Sequence, residues 1–158
     1  HHVDDLDPYF PEYWEGKTVA QGELAILEET LKCVKLHDNF DVLGHLTYIS
    51  KTRGNPAPRI IPLFDYRDLV EEIMKVLITK GKGMEINTSG VDRCGDYFPG
   101  MEFLRRFKEL GGQVVTVGSD AHQAHRVGQY CHDACKMVSE IFGHVCTFEN
   151  RTPIFHKL

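Results

Sequence analysis

The stretch Gln113-Val114-Val115-Thr116-Val117-Gly118-Ser119-Asp120-Ala121-His122 is an apolar run ending in Gly-Ser-Asp-x-His. Side chains alternate along a strand, so Asp120 and His122 are expected on one side, able to share an ion. A carboxylate and an imidazole suit Zn²⁺, Mn²⁺ or Fe²⁺ better than the all-oxygen shells of Ca²⁺ and Mg²⁺, and spacing alone does not choose among the three. Alone, the triplet reads equally as a turn Asp capping the next helix beside a solvated His. A second apolar run, Phe40-Asp41-Val42-Leu43-Gly44-His45, tips the balance and makes His45 a further candidate ligand. Ligands gather where parallel strands end, because the strands fix geometry while the following loops open to substrate.

Working outward, helical and strand-like segments alternate, which predicts an α/β architecture with a parallel sheet. Helices are expected over residues 18–37 (apolar face Leu24, Leu27, Leu31, Val34), from an Asp65 N-cap to Gly81, over 99–110 and over 127–142, the last with Val127 and Tyr130 inward. Strands are expected over 41–45, 83–88 and 113–117, with one final strand in the tail after Val145. The stretch from Lys51 to Arg59 is long enough to be a lid or binding loop, and Ser89 to Tyr97 is expected as a polar loop. These three or four parallel strands fall short of the eight of a full barrel, so further strands are expected before His1.

With 42% hydrophobic and 26% charged residues, the 158-residue chain has an ordinary globular composition, enough for one domain core. No apolar stretch approaches the roughly 18–20 residues of a membrane span, and the first residues are no signal peptide. A net charge of −5 offers no broad basic surface for nucleic acid. Cys33, Cys94, Cys131, Cys135 and Cys146 form no C-x-x-C pair and are odd in number, which fits reduced thiols and a cytoplasmic setting.

Three segments, Asp41-Val42-Leu43-Gly44-His45, Met84-Glu85-Ile86-Asn87-Thr88-Ser89-Gly90 and Gly118-Ser119-Asp120-Ala121-His122-Gln123-Ala124, resemble the later motifs of the histidinol-phosphate phosphatases. These enzymes lie in the polymerase and histidinol phosphatase (PHP) superfamily. Gly-His or Ser-Asp-Ala-His alone occurs across many metal-dependent hydrolases; the Glu-Ile-Asn-Thr-Ser-Gly segment points to this branch. The resemblance implies part of a distorted (β/α)7 TIM-like barrel, its N-terminal strands absent from this chain, with residues 1–158 as the C-terminal portion of a single domain. It implies two or three divalent metal ions (Zn, Fe or Mn), for which His45, Asp120 and His122 match ligands. His1, in a segment like the family's Ser-Val-His, is the fourth, with His2 or a purification-tag remnant as the alternatives. An H-x-H motif, a further His and a bridging Glu should precede His1, so this chain alone lacks a complete ligand set.

The activity so implied is hydrolysis of L-histidinol phosphate in histidine biosynthesis. A metal-bound water, its pKa lowered from 15.7 to about 7, would be the nucleophile. Arg93 is the first choice for a bidentate phosphate contact, then Lys51 or Arg53; each reads otherwise as a solvated surface cation. Period 2 places Glu85 and Asn87 on one face of their strand, Asn87 to orient a ligand or substrate, Glu85 as support for a ligand or partner of the substrate ammonium. Asp120 is also a candidate proton donor to the leaving alkoxide, a duty to which a metal-bound carboxylate is poorly suited. The expected partner is a small phosphorylated molecule, without nucleic acid or membrane, with a preceding segment or a homo-oligomer completing the site. The rival readings are another PHP phosphoesterase or exonuclease, and an inactive metal-binding fragment.

Overall fold

A computed structural model describes residues 2–57 and 59–157, with Lys51 through its backbone alone. Three parallel strands, β1 (Val42–Leu43), β2 (Gly83–Asn87) and β3 (Val115–Gly118), lie side by side in chain order. The register pairs Leu43 with Met84 and Asn87 with Gly118. All three strands therefore end along one rim of the sheet, the rim that carries Gly44-His45, Asn87 and Gly118. The architecture is α/β as expected, with β1 shorter than the 41–45 run because only two of its residues pair with β2.

Helix α1 (Val19–Leu36) begins at Thr18, whose Oγ1 accepts the Gln21 N–H at 3.2 Å while the Thr18 N–H donates to Gln21 Oε1 at 2.8 Å. That reciprocal pair satisfies donors left open at a helix start. Its buried face carries Ile26, Leu27, Thr30 and Val34; Leu24, expected inward, is 39% exposed. Helix α2 (Arg67–Thr79) starts after a 3₁₀ turn, Leu63–Tyr66, and Tyr66 holds its N-cap position. Asp65 does not cap it, because its carboxylate instead accepts from Arg59 Nη1 at 2.7 Å.

Between β2 and β3 the chain forms a short helix, α3 (Val91–Cys94), where a plain loop was expected, and then α4 (Met101–Glu109). After β3 comes α5 (Cys131–Phe142), which starts later than the 127–142 estimate. Val127 is 75% exposed and Tyr130 takes a left-handed backbone, so neither joins the inward face. The tail is a hairpin rather than a single strand: β4 (His144–Glu149) and β5 (Thr152–Lys157) pair antiparallel around Asn150 and Arg151, both at positive φ. Two consecutive left-handed residues are what a tight two-residue hairpin turn demands.

The main core packs Met84, Ile86 and Val115 of the sheet against Ile73, Met74 and Leu77 of α2, Phe103, Leu104 and Phe107 of α4, and Val138 of α5. Met84 and Ile86 thus point into the core and turn Glu85 away from it, as alternation predicts. A second cluster, Tyr13, Trp14, Ile26, Ile49 and Ile61, sits over α1. Beside it, the fully buried Glu23 carboxylate accepts from Arg59 Nη2 at 2.6 Å and from the Tyr66 hydroxyl at 2.8 Å. This network pins Arg59 and Tyr66 to α1, while the Gly54 N–H donating to Tyr9 O at 2.9 Å and Asn55 Nδ2 donating to Ile49 O at 3.2 Å fasten the residues before Arg59 to the preceding chain. Residues 52, 54 and 55 are buried, so the segment is an anchored wall and not a lid.

Candidate metal and phosphate site

Each strand of the parallel sheet delivers polar residues at its carboxyl end. β2 carries Glu85 and Asn87, and the Glu85 carboxylate spans the rim. Its Oε2 accepts the backbone N–H of His45 at 3.2 Å and Asn87 Nδ2 at 3.1 Å. Asn87 Oδ1 in turn accepts the Ser89 N–H at 3.0 Å and the Ser89 hydroxyl at 2.5 Å. Ser89 Oγ also stands 3.5 Å from Asp120 Oδ2. A polar chain therefore runs from the His45 N–H at the end of β1 through Glu85 and Asn87 to Ser89, whose single hydroxyl proton goes to Asn87, and it brings Ser89 Oγ near Asp120 beyond β3. Gly118 makes room for it, since a Cβ there would press into Glu85 Oε1.

His45 and Asp120 both hold positive φ, 31° and 50°, in a region that non-glycine residues seldom enter. Such strain costs about 1–3 kcal/mol per residue and gathers where function over-determines the backbone. Asp120 and His122 lie past the end of β3, so the left-handed turn at Asp120, not strand alternation, sets their directions. His122 Nδ1 is 2.8 Å from the Asp120 carbonyl oxygen and 3.9 Å from Asp120 Oδ1, with its side chain 85% exposed. Only a protonated Nδ1 can donate to a carbonyl, which leaves the Nε2 lone pair outward, the tautomer of a metal-ligating His.

This pair fits part of a zinc shell, one carboxylate and one imidazole with its second nitrogen tied to a backbone acceptor. Among the described residues no three His, Cys, Asp or Glu side chains are grouped closely enough to hold an ion by themselves. His45 is tied by its backbone N–H to Glu85 and is not gathered with the pair into one cluster. His1 and the side chain of Lys51 lie outside the described residues.

A cleft of about 550 Å³ opens in front of Asp120 and His122. Arg53 and Arg93 both line it, joined by Tyr9 and Tyr48. The Arg53 guanidinium lies 6.0 Å from the Tyr9 ring centre. Burial pushes the Tyr48 phenol above its ordinary pKa, with Asp7, Tyr9 and Asp120 adding to the rise and Arg93 opposing it. His125 stays exposed outside the cleft, whereas its neighbours Gln123 and Arg126 line it. Sequence reasoning passed over Ser89, Tyr48, Asp92 and Arg126. Ser89 stood two residues past Asn87, and Arg126 four past His122, both legible once the strand ends are known.

No protein-family profile matches the chain. It is 29% identical over 152 residues to histidinol-phosphatase of Lactococcus lactis, covering 94% of this chain and 55% of that protein. With a probable histidinol-phosphatase of Clostridium acetobutylicum it shares 27% over 154 residues, 96% of this chain and 59% of the other. A Thermotoga maritima relative of the same description is 41% identical over 104 residues, 65% of this chain and 41% of the relative. Among solved structures, histidinol phosphate phosphatase of Lactococcus lactis, complexed with zinc, L-histidinol and phosphate, superposes with a TM-score of 0.87 at 28% identity. That match covers 98% of this chain and 59% of the other. A protein from Listeria monocytogenes, at TM-score 0.59 and 19% identity, shares the fold alone. The chain thus spans 55–59% of the length of its first relatives, and the resemblance to histidinol-phosphatases read from its motifs is borne out.

Proposed function

We propose that the chain is the C-terminal portion of a metal-dependent phosphomonoesterase that releases phosphate from L-histidinol phosphate, residues 1–158 forming part of one distorted (β/α)7 barrel domain. The observation that carries this reading is the convergence at one sheet rim of Asp120, His122, Arg53 and Arg93, in a chain that superposes at TM-score 0.87 on a phosphatase holding zinc, L-histidinol and phosphate. Asp120 and His122 Nε2 would hold the ion, with His45 and His1 as further donors. When bound, a divalent ion of the zinc, iron or manganese type supplies Lewis acidity and activation of water at neutral pH.

The chain's own residues do the rest. Arg53 and Arg93 offer charge-assisted donors to the phosphoryl oxygens, a planar fork suited to a dianion. Glu85 Oε2 accepts from the His45 N–H and from Asn87 Nδ2, which supports its role in bracing the ligand-bearing turns and leaves its other oxygen as a partner for the substrate ammonium. Asn87 passes that support to Ser89, beside Asp120. Among the described residues no helix is long and apolar enough to cross a membrane. The test is turnover by the metal-loaded full-length protein, this chain with the segment expected before it, of histidinol phosphate against nucleotide and aryl phosphates, with Asp120→Ala alongside. Preference for histidinol phosphate and loss in the variant are expected; equal slow rates on all three substrates, or an unaffected variant, would overturn the reading.

A further inference from the structure

Each of the three connections that leave the parallel strands brings one arginine to the same cleft: Arg53 after β1, Arg93 after β2 and Arg126 after β3. Against them stand two lining carboxylates, Asp92 and Asp120, so the arginines outnumber the acids in a chain whose overall charge is −5. The excess is local and points at an anion. Among the described residues neither Arg53 nor Arg93 pairs with a carboxylate, while Arg126 Nη2 lies 3.4 Å from Asp92 Oδ2.

Asp92 does not depend on Arg126. Its Oδ1 accepts the Tyr130 hydroxyl at 2.6 Å and its Oδ2 accepts Gln129 Nε2 at 3.2 Å. Both donors come from the segment that follows Arg126, so the loop stays fastened to α3 when the guanidinium leaves. The ion pair is also a weak one, with side chains 47% and 35% exposed and a long separation of 3.4 Å. A phosphate dianion in the cleft offers the same guanidinium two short charge-assisted bonds.

We propose that Arg126 is a third phosphate-binding residue of the cleft, parked on Asp92 until an anion enters. The proposal rests on the reading of the cleft as a phosphate-ester site and adds to it a residue that would read the phosphoryl group from the β3 side. It transfers no proton and forms no bond; its guanidinium changes partner from a carboxylate to a phosphate.

The probe is inorganic phosphate, titrated calorimetrically into the zinc-supplied protein and its variants Arg126→Gln, Asp92→Asn and Arg93→Gln. Arg126→Gln is expected to weaken phosphate about tenfold, the effect of one lost charge-assisted contact. Asp92→Asn is expected to leave phosphate affinity unchanged or tighter, because it removes the charged competitor while its remaining oxygen keeps the Tyr130 hydroxyl partnered. Unchanged affinity in Arg126→Gln would overturn the proposal, and so would equal weakening in Asp92→Asn, since a mere tether between loop and α3 is broken by either change. If Arg93→Gln weakens phosphate while Arg126→Gln does not, the phosphate site stands and only Arg126 falls. If the unaltered protein binds no phosphate, both fall together.

Discussion

Replacing Glu85 by Ala removes the acceptor on which the strand ends are hung, and the loss can be sized. Two donors, His45 N–H at 3.2 Å and Asn87 Nδ2 at 3.1 Å, end on Oε2 of one carboxylate. Hydrogen bonds to a charged group contribute about 1.5–3 kcal/mol each, and these two are long and half-buried, so about 1.5 each and about 3 kcal/mol together is expected. With an unfolding slope of about 2 kcal/mol per molar urea, that is a midpoint lower by about 1.5 M. Glu85→Gln keeps an oxygen for both donors and loses the charge assistance, so it should recover about half of the shift. Urea unfolding of the three proteins, followed by circular dichroism, measures both shifts. A loss under about 0.5 kcal/mol for Ala, smaller than a single ordinary hydrogen bond, would refute the claim that Glu85 organises the rim, as would a Gln variant no better than Ala.

Gly22 lies against the Trp14 ring, with a Cβ there 2.5 Å from Cζ3; Gly22→Ala should destabilise by about 1–3 kcal/mol through overpacking, read as a lower thermal midpoint. The Glu71 carboxyl is held down from the ordinary 4.5 to about 2, first by the hydrogen bond from Arg106 and then by that from Arg67, against some desolvation. A folded-state pKa below the unfolded one means stability that is present above about pH 4.5 and fades as pH falls towards 2. Glu71→Gln should therefore flatten the acid limb of the stability profile between those values, and an unchanged limb would count against the pairing. Arg53→Gln or Arg93→Gln should each raise KM for a phosphate monoester by about tenfold or more, the size of one lost charge-assisted contact, measured by initial rates.

The α/β class was legible because apolar runs of strand length alternate with segments of helical period, and the strand ends were legible because Gly-His and Gly-Ser-Asp interrupt those runs. The direction of Glu85 and Asn87 followed from alternation along a strand whose other face, Met84 and Ile86, is fully buried. Alternation failed one step later, at Asp120, because a positive φ turns the chain there and no local residue pattern announces it. Asp65 was misread as a cap because a short polar residue before a helix suits capping, and only the folded chain brings Arg59 to compete for it. Val127 and Tyr130 matched the helical period of α5, but Gly128 at φ 74° and the left-handed Tyr130 delay the helix to Cys131. The Glu23–Arg59–Tyr66 network joins residues 36 and 43 positions apart, a separation no window on the sequence spans.

Zinc retention tests the central claim most directly. The whole protein, this chain together with the segment expected before His1, and its Asp120→Ala form are loaded with zinc, dialysed exhaustively and analysed for metal per chain, alongside a urea midpoint showing that both are folded. Retained zinc in the unaltered protein and its loss from the variant is the predicted result. Equal zinc in the two folded proteins, or none in either, would contradict the account.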